Sequence, residues 1–170
     1  MKHLICCVLI ISTLLCCAGC TANDADTINF YYIRDTYIYG QEDGVMVAEA
    51  RDTSNFGSDN AIMSVYLAGP QDATLHSPFP SGTVLLEFSI EKEILHITLS
   101  SHVVTLSKAE QVLACACFAR TAMELTGVNA VRFETDSSNF AKMDPIIIDR
   151  DSVLLYDDYH SAAPTEQPTS

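Results

Sequence analysis

Basic side chains are scarce in this sequence. The 170 residues include 9 Lys and Arg against 22 Asp and Glu, which gives a formal net charge of −13. An excess of negative charge of this size repels nucleic acid phosphates and anionic lipid headgroups. Nucleic acid is therefore not an expected partner, and the charge instead favours solubility and cationic or metal-bearing surroundings.

A disulfide framework is missing as well. Four of the seven cysteines lie within residues 1–19, and only Cys20, Cys115 and Cys117 follow. Cys115 and Cys117 stand two residues apart on a predicted helix, where positions i and i+2 do not face each other. We therefore expect no disulfide there, and we interpret both thiols as small apolar packing groups rather than redox groups or metal ligands.

Catalytic motifs are also absent. The sequence has no Gly-x-Ser-x-Gly elbow, no His-Glu-x-x-His, no phosphate-binding glycine loop and, after residue 20, no Cys-x-x-Cys pair. The histidines after the N-terminal segment are scattered and are expected on the surface or in loops: His76, His96, His102 and His160. We predict no catalytic, cofactor or metal site, and we do not expect an enzyme.

Two further groups of polar residues are candidate sites. Ser100 and His102 are close in sequence, but adjacency along a chain does not identify a nucleophile and its base. Five late aspartates lack the Asp-x-Asp-x-Asp-Gly order of a calcium loop, so a solvated acidic face is favoured. They are Asp144, Asp149, Asp151, Asp157 and Asp158.

The N-terminal segment has the pattern of a lipoprotein signal peptide. Lys2 precedes an apolar run over residues 4–15, which is too short to cross a bilayer comfortably. Cys17-Ala-Gly-Cys20 then resembles a bacterial lipobox, although Cys17 stands where leucine is more usual. We predict a signal peptide at residues 1–19 and a diacylated Cys20 that anchors the protein at the outer face of the plasma membrane. An ordinary signal peptide, cut after a small residue, is the alternative.

The remaining chain is predicted to form one domain. Removal of residues 1–19 takes away only Lys2 among the charged side chains, so the mature balance is 8 basic against 22 acidic residues, or −14. Residues 20–27 read as a lipidated cysteine and tether, and residues 157–170 as a disordered tail. The domain spans residues 28–156, contains no internal repeat and is large enough to bury a core without disulfides.

Alternation of apolar and polar residues predicts the strands. The first covers residues 28–34, with Ile28, Phe30 and Tyr32 on one face, and the second covers 45–51. An antiparallel hairpin follows, in which one apolar face carries Val84, Leu86, Phe88, Ile90, Leu95, Ile97 and Leu99. Later strands are predicted at 128–133 and 145–148, with another at 153–156.

Two helices separate these strands. Ser58 or Asp59 caps the first, which ends at Gly69-Pro70, because glycine accepts the left-handed cap and proline cannot continue the helix. The capping box from Ser107 to Glu110 opens the second, which runs to about residue 125 and stops at Gly127. Its broad apolar surface indicates deep burial, or else a second contact surface.

The order of these elements resembles the GerMN domain, over residues 28 to about 134. The resemblance rests on the helix end and loop with Gly69, Pro70, Leu75, Pro80, Gly82 and Thr83, and on the later motif with Thr121, Glu124, Gly127, Val128 and Val131. Three positions depart from the family pattern: the turn at 91–93 lacks a glycine, Thr98 replaces an acidic residue, and Thr121-Ala-Met replaces Thr-Leu-Thr.

This resemblance implies a fold and a function. The family occurs in sporulation and spore-germination lipoproteins of Gram-positive bacteria, as non-catalytic modules that assemble or stabilise envelope complexes, sometimes through ring-building subunit contacts. We expect an α+β domain in the order β-β-α-β-β-α-β, with one mixed or antiparallel sheet and two helices mainly on one face. An envelope protein or a second copy is the expected partner.

Two other functions remain open at this point. A small ligand or cell-wall fragment would use the loop from Gly69 to Gly82 and a tyrosine-rich start, whose alternative role is strand packing. These tyrosines are Tyr31, Tyr32, Tyr37 and Tyr39. A hydrolase is the weakest hypothesis, because it requires a pocket with paired reactive groups that the sequence does not announce.

Overall fold

The computed structural model describes residues 27–34, 44–136 and 143–153. In chain order the elements are β1 (Thr27–Arg34), β2 (Met46–Asp52), α1 (Asp59–Leu67), β3 (Leu75–His76), β4 (Leu85–Glu91), β5 (Ile94–Leu99), a 3-10 helix (Ser101–Thr105), α2 (Lys108–Thr126), β6 (Ala130–Thr135) and β7 (Ile146–Asp149). The following predictions lie outside the described residues: the signal peptide, Cys20, the tether up to residue 26, Tyr37, Tyr39, Asp157, Asp158, His160 and the tail. Thr27, predicted as the end of the tether, is the first residue of β1.

The α+β class is confirmed, but the strands form two sheets instead of the single sheet expected. The first sheet is antiparallel in the order β2-β1-β3. The second is mixed, in the order β4-β5-β6-β7, with β5 and β6 parallel. Parallel neighbours need a crossover, and the chain makes it through the 3-10 helix and α2.

Helix α2 lies between the sheets, which corrects the expectation of helices on one face. It contacts β1 of the first sheet and both β6 and β7 of the second. Every residue from Ala114 to Ala119 is fully buried, because the helix is covered on opposite sides. Cys115 and Cys117 lie fully buried within this run, so their interpretation as packing residues is confirmed.

The predicted helix ends are confirmed in detail. Ser58 caps α1, and its Oγ accepts a hydrogen bond from the Ala61 amide at 3.3 Å. Ser107 and Glu110 form the predicted capping box on α2, with hydrogen bonds of 3.3 and 2.8 Å. Gly127 ends α2 with φ of +75°, in the left-handed region that glycine enters without strain.

An aromatic cluster fills the core between the elements. Phe30 and Tyr32 of β1 are fully buried, as the alternation predicted, and Tyr66 of α1 lies against both. Edge-to-face contacts then continue from Tyr66 to Phe118 of α2, and from Phe118 to Phe133 of β6. The packing interpretation of the tyrosines is therefore confirmed for Tyr32.

The predicted apolar face of β4 is wrong over its first half. Leu85 pairs with Leu99 but Glu87 pairs with Thr98, so Leu86 is an extra residue that forms a β-bulge. An extra residue reverses which face the preceding side chains occupy. Leu85 consequently packs against the core, whereas Val84 and Leu86 are each 52% exposed.

The last described segment differs from its prediction in part. A strand lies near the expected residues 145–148, as β7, and residues 150–153 are helical. Val153 therefore departs from the strand expected at 153–156, and the other three residues of that strand lie outside the described part of the chain. Asp149 and Ser152 explain the change, because the Ser152 amide donates to Asp149 Oδ1 at 2.7 Å and Ser152 Oγ accepts from the Asp149 amide at 3.0 Å. This reciprocal pair caps a helix start.

Candidate interaction surfaces

Two paired side chains of β2, Glu49 and Arg51, hold the loop that follows α1 by hydrogen bonds to its backbone. Arg51 Nε donates to Glu49 Oε2 at 2.6 Å, and the two side chains are only 11% and 12% exposed. Glu49 Oε1 also accepts from the amides of Gln71 and Asp72 at 2.9 and 2.7 Å. Arg51 Nη2 donates to the carbonyl oxygen of Gly69 at 3.2 Å, so the motif glycine and the next turn are both held against the sheet.

The far end of this loop closes in a tight turn. The amide and the hydroxyl of Thr83 both donate to the Pro80 carbonyl, at 3.1 and 2.8 Å. Gly82 has φ of +84°, and a Cβ there would lie 3.4 Å from His102 Nε2. The family-motif residues Pro80, Gly82 and Thr83 therefore fix the path of the chain into β4.

Two open clefts flank the loop. One of about 500 Å³ lies between α1, the loop and the start of β4, and contains Leu67, Phe79 and Val84. Its other lining residues are small or apolar, and none has an ionisable side chain: Ser64, Ala68, Ser77, Pro80, Ser81, Gly82, Thr83 and Leu85. The second, of about 510 Å³, is lined on the opposite side by residues that include Ile33 and Leu113. The first cleft is therefore suited to an apolar or hydroxyl-bearing group and carries no paired reactive groups.

The motif around Thr121 joins α2 to β1. Thr121 Oγ1 accepts from the Tyr31 amide at 3.0 Å and donates to the Cys117 carbonyl at 3.3 Å. Glu124 Oε1 accepts from the backbone and side-chain amides of Asn29 at 3.1 and 2.9 Å. The guanidinium of Arg120 lies 4.3 Å from the centre of the Tyr31 ring. These contacts hold the helix against the first sheet, which gives the motif a structural role.

The structure brings Ser100 and His102 together. Ser100 Oγ lies 3.1 Å from His102 Nδ1 and accepts from the Val84 amide at 3.0 Å. No carboxylate among the described residues hydrogen-bonds to the imidazole and orients it, as a catalytic base requires. The geometry supports a role in holding the start of β4 against the end of β5.

The other candidate ligands are dispersed. Within the described ranges, no group of three or more His, Cys, Asp or Glu is placed to hold a metal ion. Asp144 Oδ2 is 3.0 Å from Lys108 Nζ, and Asp149 caps the final helical turn. Hydrogen bonds from Ser152 lower the pKa of Asp149, so this carboxylate is charged and already occupied. Thr98, which stands where the family pattern has an acidic residue, donates from Oγ1 to Glu87 Oε2 at 3.2 Å.

The most exposed apolar side chains concentrate on β4. Val84 and Leu86 are each 52% exposed and Ile90 is 51% exposed, whereas Ile147 on β7 is 56% exposed at the other edge of the same sheet. Sequence reasoning missed the exposure of Val84, Leu86 and Ile90, because alternation placed all three side chains in the core. The run of three apolar residues from Val84 to Leu86 was the one available signal of a bulge.

Nothing in the described part of the chain crosses a membrane as a helix, since none of its helices is both long and apolar enough.

Comparison with known proteins identifies a family. The profile of the Germane family, described as sporulation and spore germination, matches residues 29–139, well over half of the chain. This range agrees with the GerMN-like region expected at 28 to about 134, so the predicted resemblance is confirmed. No curated protein matches the chain.

Two solved structures are similar to this one. The first GerMN domain of the sporulation protein GerM from Bacillus subtilis has 13% identity and a TM-score of 0.49, over 65% of this chain and 83% of that one. A candidate lipoprotein from Clostridium perfringens has 19% identity and a TM-score of 0.41, over 74% of this chain and 87% of that one.

Proposed function

This chain belongs to the Germane family, and we propose that it is a membrane-anchored, non-catalytic assembly module of the Gram-positive cell envelope that acts in sporulation or spore germination. The family match over residues 29–139 is the observation that carries the proposal. The lipobox-like residues before Cys20 support the anchor, which places the domain at the outer face of the plasma membrane.

The chemistry of the described residues supports a non-catalytic role. The ionisable groups near the motif loop are engaged in structure, since Glu49 and Arg51 fasten the loop to β2. The contact between Ser100 and His102 lacks an orienting acid, and the first of the two clefts beside the loop has no ionisable side chain. The second cleft is lined by His76 and Glu110, and Glu110 belongs to the capping box of α2. A module of this kind acts through binding surfaces, and half-exposed apolar side chains lie along β4 and just before it.

The anchor is tested in the organism that carries the protein. We expect the wild-type chain to partition with membranes and to incorporate labelled palmitate, and Cys20→Ala to lose both properties. Cys115→Ala is the matched control, because Cys115 is fully buried in α2 and is not a lipidation site. A chain that reaches the membrane without label at Cys20 contradicts the anchor.

The role in spores has its own measurement. Deletion of the gene should lower the yield of heat-resistant spores or slow their germination, and the wild-type gene should restore both. Cys20→Ala should restore them poorly, since the domain is then released from its membrane. Normal spore yield and normal germination in the deletion strain contradict the proposed function.

A second candidate function is binding of a cell-wall fragment. The cleft of about 500 Å³ beside the loop favours it, because serine hydroxyls line an apolar floor there. Muropeptides should then raise the melting temperature of the wild-type protein, and Ser81→Trp should abolish the rise by filling the cleft. Ser81 is exposed, so the substitution leaves the core unchanged. An identical shift in both proteins rules this site out.

A further inference from the structure

Strand β4 is an edge of the second sheet. The sheet order is β4-β5-β6-β7, and no other strand in the described part of the chain pairs with the outer side of β4. Helix α1 contacts β4 and lines the cleft at the start of that strand, but no strand of the described part pairs with the outer side of residues 87–91. The backbone amides and carbonyls on that side can therefore pair with another extended chain. Strand addition at such an edge is an established way for one protein to bind a segment of another.

Strand β4 has only some of the features that usually prevent another strand from pairing with the edge of a sheet. Natural edges are blunted by lysine, proline, bulges or covering segments. The bulge at Leu86 interrupts β4, but Glu87 to Glu91 pair in a regular register with Thr98 to Ile94. This five-residue stretch contains no lysine and no proline. It is long enough for an added strand of ordinary length.

The two faces of this stretch differ in chemistry. Phe88 and Ile90 lie opposite the buried Ile97 and Leu95, so they belong to the apolar inner face, yet Ile90 remains half exposed. On the outer face, Glu87 lies opposite Thr98 and Glu91 opposite Ile94. An added strand therefore meets apolar and acidic side chains in alternation.

Glu87 and Glu91 line a shallow pocket that also contains His96 and Arg132, but Arg132 pairs with Glu134. Glu87 is hydrogen-bonded by the hydroxyls of Ser89 and Thr98, and neither Glu87 nor Glu91 forms an ion pair among the described residues. The whole chain carries a net charge of −13. Charge complementarity therefore points to a basic partner.

We propose that β4 is the docking edge for an extended segment of another protein in which basic and apolar residues alternate. The segment adds to β4 as a fifth strand, with its basic side chains beside Glu87 and Glu91 and its apolar side chains beside Phe88 and Ile90. The cleft that contains Val84 at the start of β4 accepts an apolar side chain from the end of the segment. This inference rests on the proposed assembly function and names its partner class.

A second copy of the chain is a poorer occupant. Antiparallel pairing of β4 with itself brings the two copies of Glu87 and Glu91 onto one sheet face, with no basic residue between them. Like charges across strands are destabilising, and each mature copy adds a net charge of −14.

The test uses three peptides and the mature lipidated protein in detergent micelles. The first is a fluorescein-labelled nine-residue peptide of alternating lysine and valine. The second has glutamate in place of lysine, and the third has proline in place of the central valine. Fluorescence anisotropy should show binding of the first peptide only. Amide hydrogen exchange should slow along residues 87–91 when it binds, since those amides gain partners.

Variants of the protein locate the site. Ile90→Lys should weaken binding of the lysine peptide by about tenfold or more, because it places a positive charge beside the peptide's lysines and removes the apolar contact. Ile147→Lys is the matched control: it changes an equally exposed isoleucine at the opposite edge and should leave binding unchanged. The double variant Glu87→Lys/Glu91→Lys should bind the glutamate peptide more tightly than the lysine peptide. Circular dichroism and melting temperatures establish that each variant is folded.

Several results overturn the inference. The first is equal binding of the lysine peptide by wild type and Ile90→Lys. The second is a loss of binding in Ile147→Lys as large as that in Ile90→Lys. The third is amide exchange that slows only at residues outside β4. Self-association in light scattering without peptide binding would assign the edge to a second copy. Failure here is distinguishable from failure of the proposed function, since spore yield and Cys20 labelling are measured without any peptide.

Discussion

The rings of Tyr32 and Tyr66 stack with their centroids 4.9 Å apart and their planes 4° from parallel. The Tyr32 hydroxyl donates to the Tyr66 carbonyl at 2.9 Å, and the Tyr66 hydroxyl donates to the Tyr31 carbonyl at 2.9 Å. Both rings are fully buried. The pair thus ties α1 to β1 through stacking and through two hydrogen bonds that satisfy buried polar groups.

The Tyr66 hydroxyl should contribute measurably to stability. Tyr66→Phe removes the donor to the Tyr31 carbonyl, so we expect the free energy of unfolding to fall by about 1.5 kcal/mol in urea titration. Tyr31→Phe is the control, because its hydroxyl makes an exposed contact of 3.3 Å with Glu124 and its loss should change the stability much less. Equal effects of the two substitutions contradict this assignment.

Alkaline pH should destabilise the fold. Burial raises the pKa of both Tyr32 and Tyr66, whereas a tyrosine in the unfolded chain loses its proton near pH 10. Above about pH 10 the folded state therefore binds more protons than the unfolded state, and the free energy of unfolding decreases as pH rises. The stabilisation is fully present below that pH.

The same titration distinguishes the buried tyrosines from other groups. Each buried tyrosine should lower the free energy of unfolding by up to about 1.4 kcal/mol per pH unit above pH 10. Tyr32→Phe should therefore reduce the steepness of this fall, as measured by urea unfolding between pH 9 and about pH 11. An unchanged slope in the variant shows that other groups cause the alkaline loss.

Loss of the Glu49 carboxylate should free the loop after α1. Glu49→Ala leaves Arg51 without its ion-pair partner and exposes the Gln71 and Asp72 amides, so we expect a cost of about 2 kcal/mol in unfolding. Amide exchange at Gln71 and Asp72 should accelerate.

Glu134→Ala provides the comparison for that substitution. It breaks an ion pair with Arg132 whose side chains are 37% and 49% exposed, and such pairs contribute about 0–1 kcal/mol. If Glu134→Ala lowers the free energy of unfolding as much as Glu49→Ala does, burial does not explain the contribution of the Glu49–Arg51 pair to stability.

Substitutions in the turn between β4 and β5 should stabilise the protein. Lys92 and Glu93 have φ of +49° and +67°, and residues other than glycine, asparagine and aspartate rarely adopt this conformation. Lys92→Asn/Glu93→Gly matches the preferred sequence of a two-residue type I′ turn and should raise the free energy of unfolding by about 1 kcal/mol. Glu93→Ala is the control, because alanine keeps the strain. A loss of stability in the double variant would contradict this account of the turn.

Local features followed directly from the sequence. Ser107, Glu110 and Gly127 marked the limits of α2, and alternation placed Phe30 and Tyr32 in the core. Caps and alternation act over a few residues, so short stretches of sequence carry the information. The family motif also followed from the sequence alone.

The tertiary structure decided what depends on distant partners. The bulge at Leu86 exists because β4 pairs with β5 in a shifted register, and it exposes Val84 and Leu86. The split into two sheets, the two-residue β3 and the central position of α2 depend on pairings between segments far apart in the chain. Local propensity cannot specify such pairings, because their free energy comes from burial and hydrogen bonds formed only when the whole domain has folded.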